Sequence, residues 1–340
     1  MSPLESAVAS LDAPSRDRIR PVLRWLLERG DQQSTELLAT YLYDVLPTAY
    51  AGDDRQQHEV AWVLGDLYDA AGLPEQASLC RSATAHETLA VWHWIRSFPD
   101  VPTAFWLPAL GALQRGAAMP AKAALSLSST RALLDAVGEG LVLTRAGELP
   151  RETVLALDDR FRWTEEFPWM RPGGEADIPP LSFLRRHAVA QRLLEQDGDR
   201  LVRTRLGQAC LHDTVRLWRC VVNPAPRWSR GFERDALGVL AAAVLRSADF
   251  ALGRLGEDIA HVLAAKWRPA RQDSLFEGAS LVAQSWYQIG VPLGWWDTGR
   301  GPADRRPNAF GRAAAVAVFR AMAGPAAQPS AGPPGGPRLS

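Results

Sequence analysis

Six arginines within a short stretch carry the most chemical potential in this chain: Arg185, Arg186, Arg192, Arg200, Arg203 and Arg205. Guanidinium groups make bidentate contacts to phosphate and carboxylate, so such a cluster reads as a candidate nucleic-acid or partner-binding surface. Arg185, Arg186 and Arg192 fall on or just after an expected helix, and Arg200, Arg203 and Arg205 flank an expected hairpin. A helix in the major groove with a basic wing over the phosphates engages DNA in this way. Glu195, Asp197 and Asp199 oppose that reading, because they sit at the hairpin tip and would repel phosphate. The chain as a whole is neutral, with 38 Lys and Arg against 38 Asp and Glu, which removes the attraction most DNA binders use. The plainer interpretation is a solvated arginine face, or a partner for the acidic N-terminal half.

Other reactive groups argue against catalysis. Cys210, His212 and Cys220, with His187, invite a test for zinc, which needs about four convergent ligands. Leu206 to Val222 reads as one helix, which would place the three on differing faces, so small core thiols and a surface histidine are expected instead. Asp158-Asp159 and Glu165-Glu166 are adjacent carboxylates whose side chains point apart, unsuited to acid–base work across a cleft. His58-Glu59 and His86-Glu87 read as helix-packing or solvated pairs. There is no G-x-x-x-x-G-K-[ST] loop, G-x-S-x-G elbow or H-E-x-x-H pair. The expectation is a non-enzyme without cofactor or metal. In an enzymatic alternative, the site would be assembled from distant residues, with His93, His187, His212 and His261 the first candidates.

The elements that hold these residues contain a repeat. Residues 133–147 and 193–207 both read L-L-acid-x-x-G-acid-x-L-V-x-T-R-x-G without a gap. Repeats of this kind mark duplicated supersecondary units. In the second copy Asp197-Gly198 is a hairpin signal, Leu201-Val202 a short strand, and Thr204 a helix N-cap. Leu181, Leu184, Ala188 and Val189 place a helix upstream. Helix, tight hairpin, helix is a core arrangement of winged-helix domains. In the first copy a helix through Leu134 stops at Gly138 and leaves only the strand, a reduced version of the unit. Asn308 and Gly311, after Trp295-Trp296, suggest a third, degraded copy with Asn in place of Thr as the cap.

The fold class expected is therefore mainly α with small β-hairpins, an N-terminal helical domain followed by tandem winged-helix-like units. Residues 1–100 form the helical domain, 101–165 the reduced unit and 166–225 the full one. Residues 226–322 are an Ala-rich helical region containing the degraded copy, and 323–340 a disordered tail of Pro, Gly, Ala and Ser. Within these, Gln56 to Ala71 is a helix stopped by Gly72, and Thr84 to Glu87 a capping box. Phe232 to Leu263 is two helices broken near Gly253 to Gly256. Trp295 and Trp296 cannot both point inward from a strand, so one is expected at the surface.

Residues 1–179 carry 16 Lys and Arg against 25 Asp and Glu, and residues 180–340 carry 22 against 13. Such polarity fits an anion-binding C-terminal half or two halves that face each other. The scarcity of lysine, Lys122 and Lys266 alone, is also what a GC-rich genome gives. Three unpaired-looking cysteines, no apolar leader in Met1 to Pro21 and no long apolar run point to a cytoplasmic protein without membrane contact.

The stretches LLDAVGEGLVLTRAGELP, PPLSFLRRHAVAQRLLEQDGDRLVRTRLG and LWRCV resemble uncharacterised bacterial proteins related to the C-terminal part of the plasmid ORF-three-like family. The flanking YLYDVLP, ASLCRSATAHETLAVW and RGFERDALGVLAAAVL are similar too. Glu148 departs from the pattern, where an aromatic commonly precedes Leu-Pro. The resemblance implies helical and winged-helix-like structure and supplies no catalytic residues. The expected function is macromolecular recognition by winged-helix-like units, with a protein partner favoured over direct DNA binding as a transcription-type regulator.

Overall fold

The computed structural model describes residues 3–50, 52–116, 119–165, 172–222, 231–246, 252–268, 272–297 and 305–324. Residues 325–340 of the expected tail 323–340, and Glu166 of the second carboxylate pair, lie outside them. The chain is mainly helical with one small three-stranded antiparallel sheet. No helix among the described residues is long and apolar enough to cross a membrane. Two compact units divide it, the first break falling between Pro99 and Asp100.

The first unit runs through α1 (Pro3–Ser10), α2 (Ala13–Glu28) and α3 (Thr35–Thr40), which passes through a π turn into α4 (Leu46–Ala49). It continues with α5 (Asp54–Ala70), α6 (Pro74–Cys80) and α7 (Ala83–Ile95). Its core is an apolar stripe from each helix, including Ile19, Val22, Leu26, Leu38, Leu42, Leu64 and Leu67, all inaccessible to solvent. Asp53 and Gln56 form a reciprocal cap at the start of α5, and Gly72 follows its end at φ +73°. The capping box expected at Thr84 is not the cap of α7. Ser82, two residues earlier, accepts from Ala85 N at 3.1 Å and starts the helix there. The Thr84 carbonyl instead accepts from the Thr88 hydroxyl.

A helix α8 (Leu107–Arg115) spans the division, and the second unit contains the rest. It begins with α9 (Ala123–Ser126), α10 (Ser128–Val137), β1 (Leu141–Val142) and α11 (Arg151–Phe161). Next come α12 (Pro179–Ala190), β2 (Leu194–Asp197), β3 (Arg200–Arg203), α13 (Arg205–His212) and α14 (Thr214–Val222). Last are α15 (Gly231–Arg246), α16 (Leu252–Leu263), α17 (Gln272–Gly290) and α18 (Ala309–Ala321).

The sheet corrects the inference drawn from the sequence repeat. The order is β1-β3-β2, and Leu141 of the first copy pairs with Leu201 of the second. Residues 101–165 and 166–225 therefore do not form two separate units, because each copy supplies strands to one sheet. Outside the strands the copies differ. Leu133 and Leu134 are buried inside α10, whereas Leu194 opens β2. Thr144 closes a tight turn, its hydroxyl accepting from Glu148 N at 3.1 Å, whereas Thr204 caps α13. Leu-Val suits a strand in both copies, two residues long in β1 and within the four of β3, while surrounding contacts decide the rest.

Backbone repetition lies elsewhere, between residues 188–207 and the described residues of 290–311, namely 290–297 and 305–311. After α12 the chain turns at Arg192, φ +56°, and Leu193 N donates to Ala188 O at 2.9 Å. After α17 it turns at Gly294, φ +62°, and Trp295 N donates to Gly290 O at 2.9 Å. Thr204 N donates to Leu193 O at 3.1 Å and its hydroxyl to Arg192 O at 2.6 Å. Asn308 N donates to Trp295 O at 3.0 Å and its side-chain amide to Gly294 O at 2.8 Å. Gly207 N then donates to the Thr204 hydroxyl at 3.0 Å, and Gly311 N to Asn308 Oδ1 at 3.2 Å. The hairpin pairs Leu194 with Arg203 in one region, and a bridge joins Trp296 to Pro307 in the other.

Three further expectations are revised. Both Trp295 and Trp296 are buried: Trp295 packs on Trp286 at 4.8 Å between ring centres, and Trp296 donates to Tyr287 O at 3.2 Å. A single bridge is too short to force alternation, so Trp296 folds back along α17. Two helices, α15 and α16, do occupy the span from Phe232 to Leu263, but Gly253 to Gly256 lie within α16, where a Cβ on Gly256 would sit 2.4 Å from Ser280 Oγ. Glycine there lets α16 and α17 approach. Leu206 to Val222 is not one helix either, because Asp213 leaves the helical region at φ −114°, ψ 97° and caps α14 by accepting from Arg216 N at 2.9 Å.

Candidate functional site

The six arginines do not present one outward face. Arg185 Nε donates to Glu175 Oε1 at 2.7 Å, and Glu175 is 1% exposed. The other oxygen of that carboxylate accepts from Leu149 N at 2.9 Å, so the pair ties the entry of α12 to the turn before α11. Arg203 reaches back to the end of α10, where it donates to Leu134 O at 3.3 Å. Arg312 does the same for α15, donating to Val244 O and Leu245 O at 3.3 and 3.2 Å. Cationic side chains at helix C-termini satisfy the last carbonyls, a structural use shared by both regions. Arg200 is exposed and donates to Gly140 O at 3.0 Å, across the β1–β3 pair. Arg186, Arg192 and Arg205 are exposed, with Arg186 over the Phe183 ring at 4.3 Å.

Helix α12 is not a free element. It packs against α17, and His187 on its inner side bonds Val221 O of α14 at 2.8 Å. Glu195, Asp197 and Asp199 all project into solvent at the hairpin tip. Buried serines add a further tie within the unit: Ser129 donates to Pro292 O at 2.6 Å and Ser126 to Leu293 O.

The proposed enzymatic histidines are not brought together. His187 is buried on α12; His93, His212 and His261 are exposed on α7, α13 and α16. His261 does line the larger cavity described, an open cleft of about 1020 Å³ with Asp100, Phe105, Arg246 and Asp258. Asp158 is occupied as a structural acceptor, bonding Thr164 through both its carboxylate oxygens, so it does not act with Asp159 as an acid–base pair. Among the described residues no group of three or more His, Cys, Asp or Glu is placed to hold a metal.

Two pairs were invisible to sequence reasoning. His58 and His86, dismissed singly, meet Nδ1 to Nδ1 at 2.7 Å, and His86 also stacks on Trp62 at 4.8 Å. Desolvation, then the neighbouring His58, lowers the His86 pKa to about 4. Asp54 lies 3.3 Å from His58 Nε2, and its carboxyl is held below the usual range chiefly by a hydrogen bond with His58. The only sequence hint is that Asp54 and His58 share a helix face, four apart. The second pair is Cys210 and Cys220, whose sulfurs lie 3.9 Å apart. A continuous helix would have separated them; the break at Asp213 folds α14 back against α13.

No family model, curated protein or solved structure matches this chain.

Proposed function

We propose that this protein is a binding or regulatory protein whose second unit contains two winged-helix-like modules, residues 128–222 and 231–321, that together recognise a protein partner. The first module would comprise α10, β1, α11, α12, the β2–β3 hairpin, α13 and α14. The second would comprise α15, α16, α17, the bridge between Trp296 and Pro307, and α18. The reading is supported by the hydrogen bonds that recur between residues 188–207 and 290–311, and it agrees with the structure the sequence resemblance implies.

One observation favours protein over DNA. Helix α12, which would have to enter a major groove, packs against α17, its counterpart in the other module. Groove insertion needs such a helix to stand clear of its own protein. The arginines that would accompany it are partly engaged within the chain, and the hairpin tip is acidic. The remaining exposed arginines, Arg186, Arg192 and Arg205, motivate a DNA-contacting alternative.

A salt titration with random duplex DNA separates the two. Protein recognition predicts no association at low salt, and no change when Arg186, Arg192 and Arg205 are replaced together by Ala. Affinity that falls steeply with salt, and weakens in the triple variant, would establish the DNA reading instead.

A further inference from the structure

We propose that Cys210 and Cys220 form a dithiol modification site that a hydroperoxide converts to an intrachain disulfide, stapling α13 to α14. The site exists because Asp213 interrupts the helix. In the other module the equivalent segment continues as uninterrupted α18, with Ala314 at the position of Cys210. The α13–α14 turn therefore gives this module a pair of thiols that the other lacks.

The two sulfurs are in van der Waals contact at 3.9 Å, and a disulfide needs them at about 2.05 Å, a closure that side-chain rotation and a small helix shift supply. Their environments differ in a way that orders the reaction. Cys220 is partly exposed and reachable by a small oxidant, whereas Cys210 is fully buried. Burial, then the adjacent Cys220, pushes the Cys210 thiol up to about 12, so it stays protonated and is not the first to react. Cys220 as thiolate attacks one peroxide oxygen; an S–O bond forms, the O–O bond breaks, and the departing alkoxide or hydroxide takes a proton. Cys220 is then a sulfenic acid. The Cys210 sulfur attacks the Cys220 sulfur, the S–S bond forms, the S–O bond breaks, and hydroxide leaves as water with the Cys210 proton. Two thiols and one hydroperoxide thus yield one disulfide, one alcohol or water, and one water.

The third cysteine is an internal control. Cys80 in the first unit is buried with no thiol neighbour among the described residues, and its pKa too is raised to about 12 by burial.

The test treats the full folded chain with hydrogen peroxide, quenches with an alkylating agent, and maps peptides without reduction. The expected result is a crosslinked peptide joining Cys210 to Cys220, reversed by dithiothreitol, with Cys80 alkylated as a free thiol. In Cys210→Ala the sulfenic acid should persist on Cys220 and be trapped by dimedone. Recovery of Cys210 and Cys220 as free thiols, under peroxide that oxidises glutathione, would overturn the proposal, as would a crosslink between chains. A crosslink formed only in urea would do the same. That outcome is read on the unaltered chain, so it does not depend on a variant folding.

Discussion

The described residues of 188–207 and 290–311 share turns and caps built largely from different side chains. Arg192 and Gly294 take the left-handed turn, Thr204 and Asn308 cap the next helix, and Leu193 and Trp295 supply the carbonyl both caps contact. Two pairs are the same residue, Val189 with Val291, whose carbonyls accept from the turn residues, and Gly207 with Gly311. A Cβ on Gly207 would lie 2.1 Å from Leu193 O, and one on Gly311 would lie 2.5 Å from Trp295 O. Each obstruction is backbone, which cannot swing aside. The difference between the regions teaches that hydrogen-bond geometry tolerates any residue able to place an oxygen or adopt the turn, while close backbone approach tolerates glycine alone.

The comparison breaks most sharply at those glycines. Gly207→Ala and Gly311→Ala should each destabilise the protein by about 3–4 kcal/mol in denaturant titrations, Gly207 the more severely. A loss below about 1 kcal/mol at either position would mean the two regions do not share this constraint.

The helix ahead of the first of these regions, α12, is anchored through Glu175 and Arg185. Glu175→Ala leaves a guanidinium with only 18% side-chain exposure without its carboxylate, and should cost about 3 kcal/mol. Arg185→Ala should cost a similar amount by stranding the carboxylate. If both variants unfold at the wild-type midpoint, the pair is not a structural anchor and the DNA-facing role of Arg185 revives.

Acid titration contrasts the two units. His86 has its pKa lowered from 6.5 to about 4 in the folded state. The unfolded chain therefore binds the extra proton first as pH falls. Stability is complete above about pH 6.5, declines between 6.5 and about 4, and levels off below, a total for this group of about 3 kcal/mol. Asp54, lowered by its hydrogen bond with His58 and by the charges of His58, His93 and Arg96, adds a loss at still lower pH. Hydrogen exchange resolved by peptide should show residues 54–95 losing protection across that window before residues 179–222. His86→Phe should flatten the response, and an unchanged pH profile in that variant would refute the assignment.

The smallest effect sharpens the turn equivalence. Arg192→Gly should leave stability unchanged or raise it by up to about 1 kcal/mol, whereas Gly294→Ala should lower it by about 1 kcal/mol. Thermal midpoints moving in the same direction in both variants would separate the two turns.

Much of this was legible in the residues. Thr204 as a cap, Asp197-Gly198 as a hairpin turn and Gly138 as the end of α10 follow from local rules, because caps and positive φ are satisfied within a few residues. The matching role of Asn308 was also visible, through its spacing to Gly311. The misleading signal was the strongest one. Residues 133–147 and 193–207 look alike and both pass through the same sheet, yet Leu133-Leu134 is helix and Leu193-Leu194 is turn and strand. Apolar pairs suit either element, and the choice was made by what each packs against. Asp213 is a similar case: Asp followed by Thr can start a helix, but Leu206, Cys210, Leu217 and Val221 on either side of it suit one continuous helix.

By itself the sequence determined the helical class, the hairpin between Leu194 and Arg203, the caps and the turn positions, since these depend on bonds closed within one or two turns of chain. Tertiary structure decided which strands share a sheet, that Arg185 is bound to Glu175, that α12 lies against α17, and that His58 meets His86 and Cys210 meets Cys220. Those pairings are set by burying apolar surface from segments far apart in sequence, a force that is proportional to area and carries no local code for its partner.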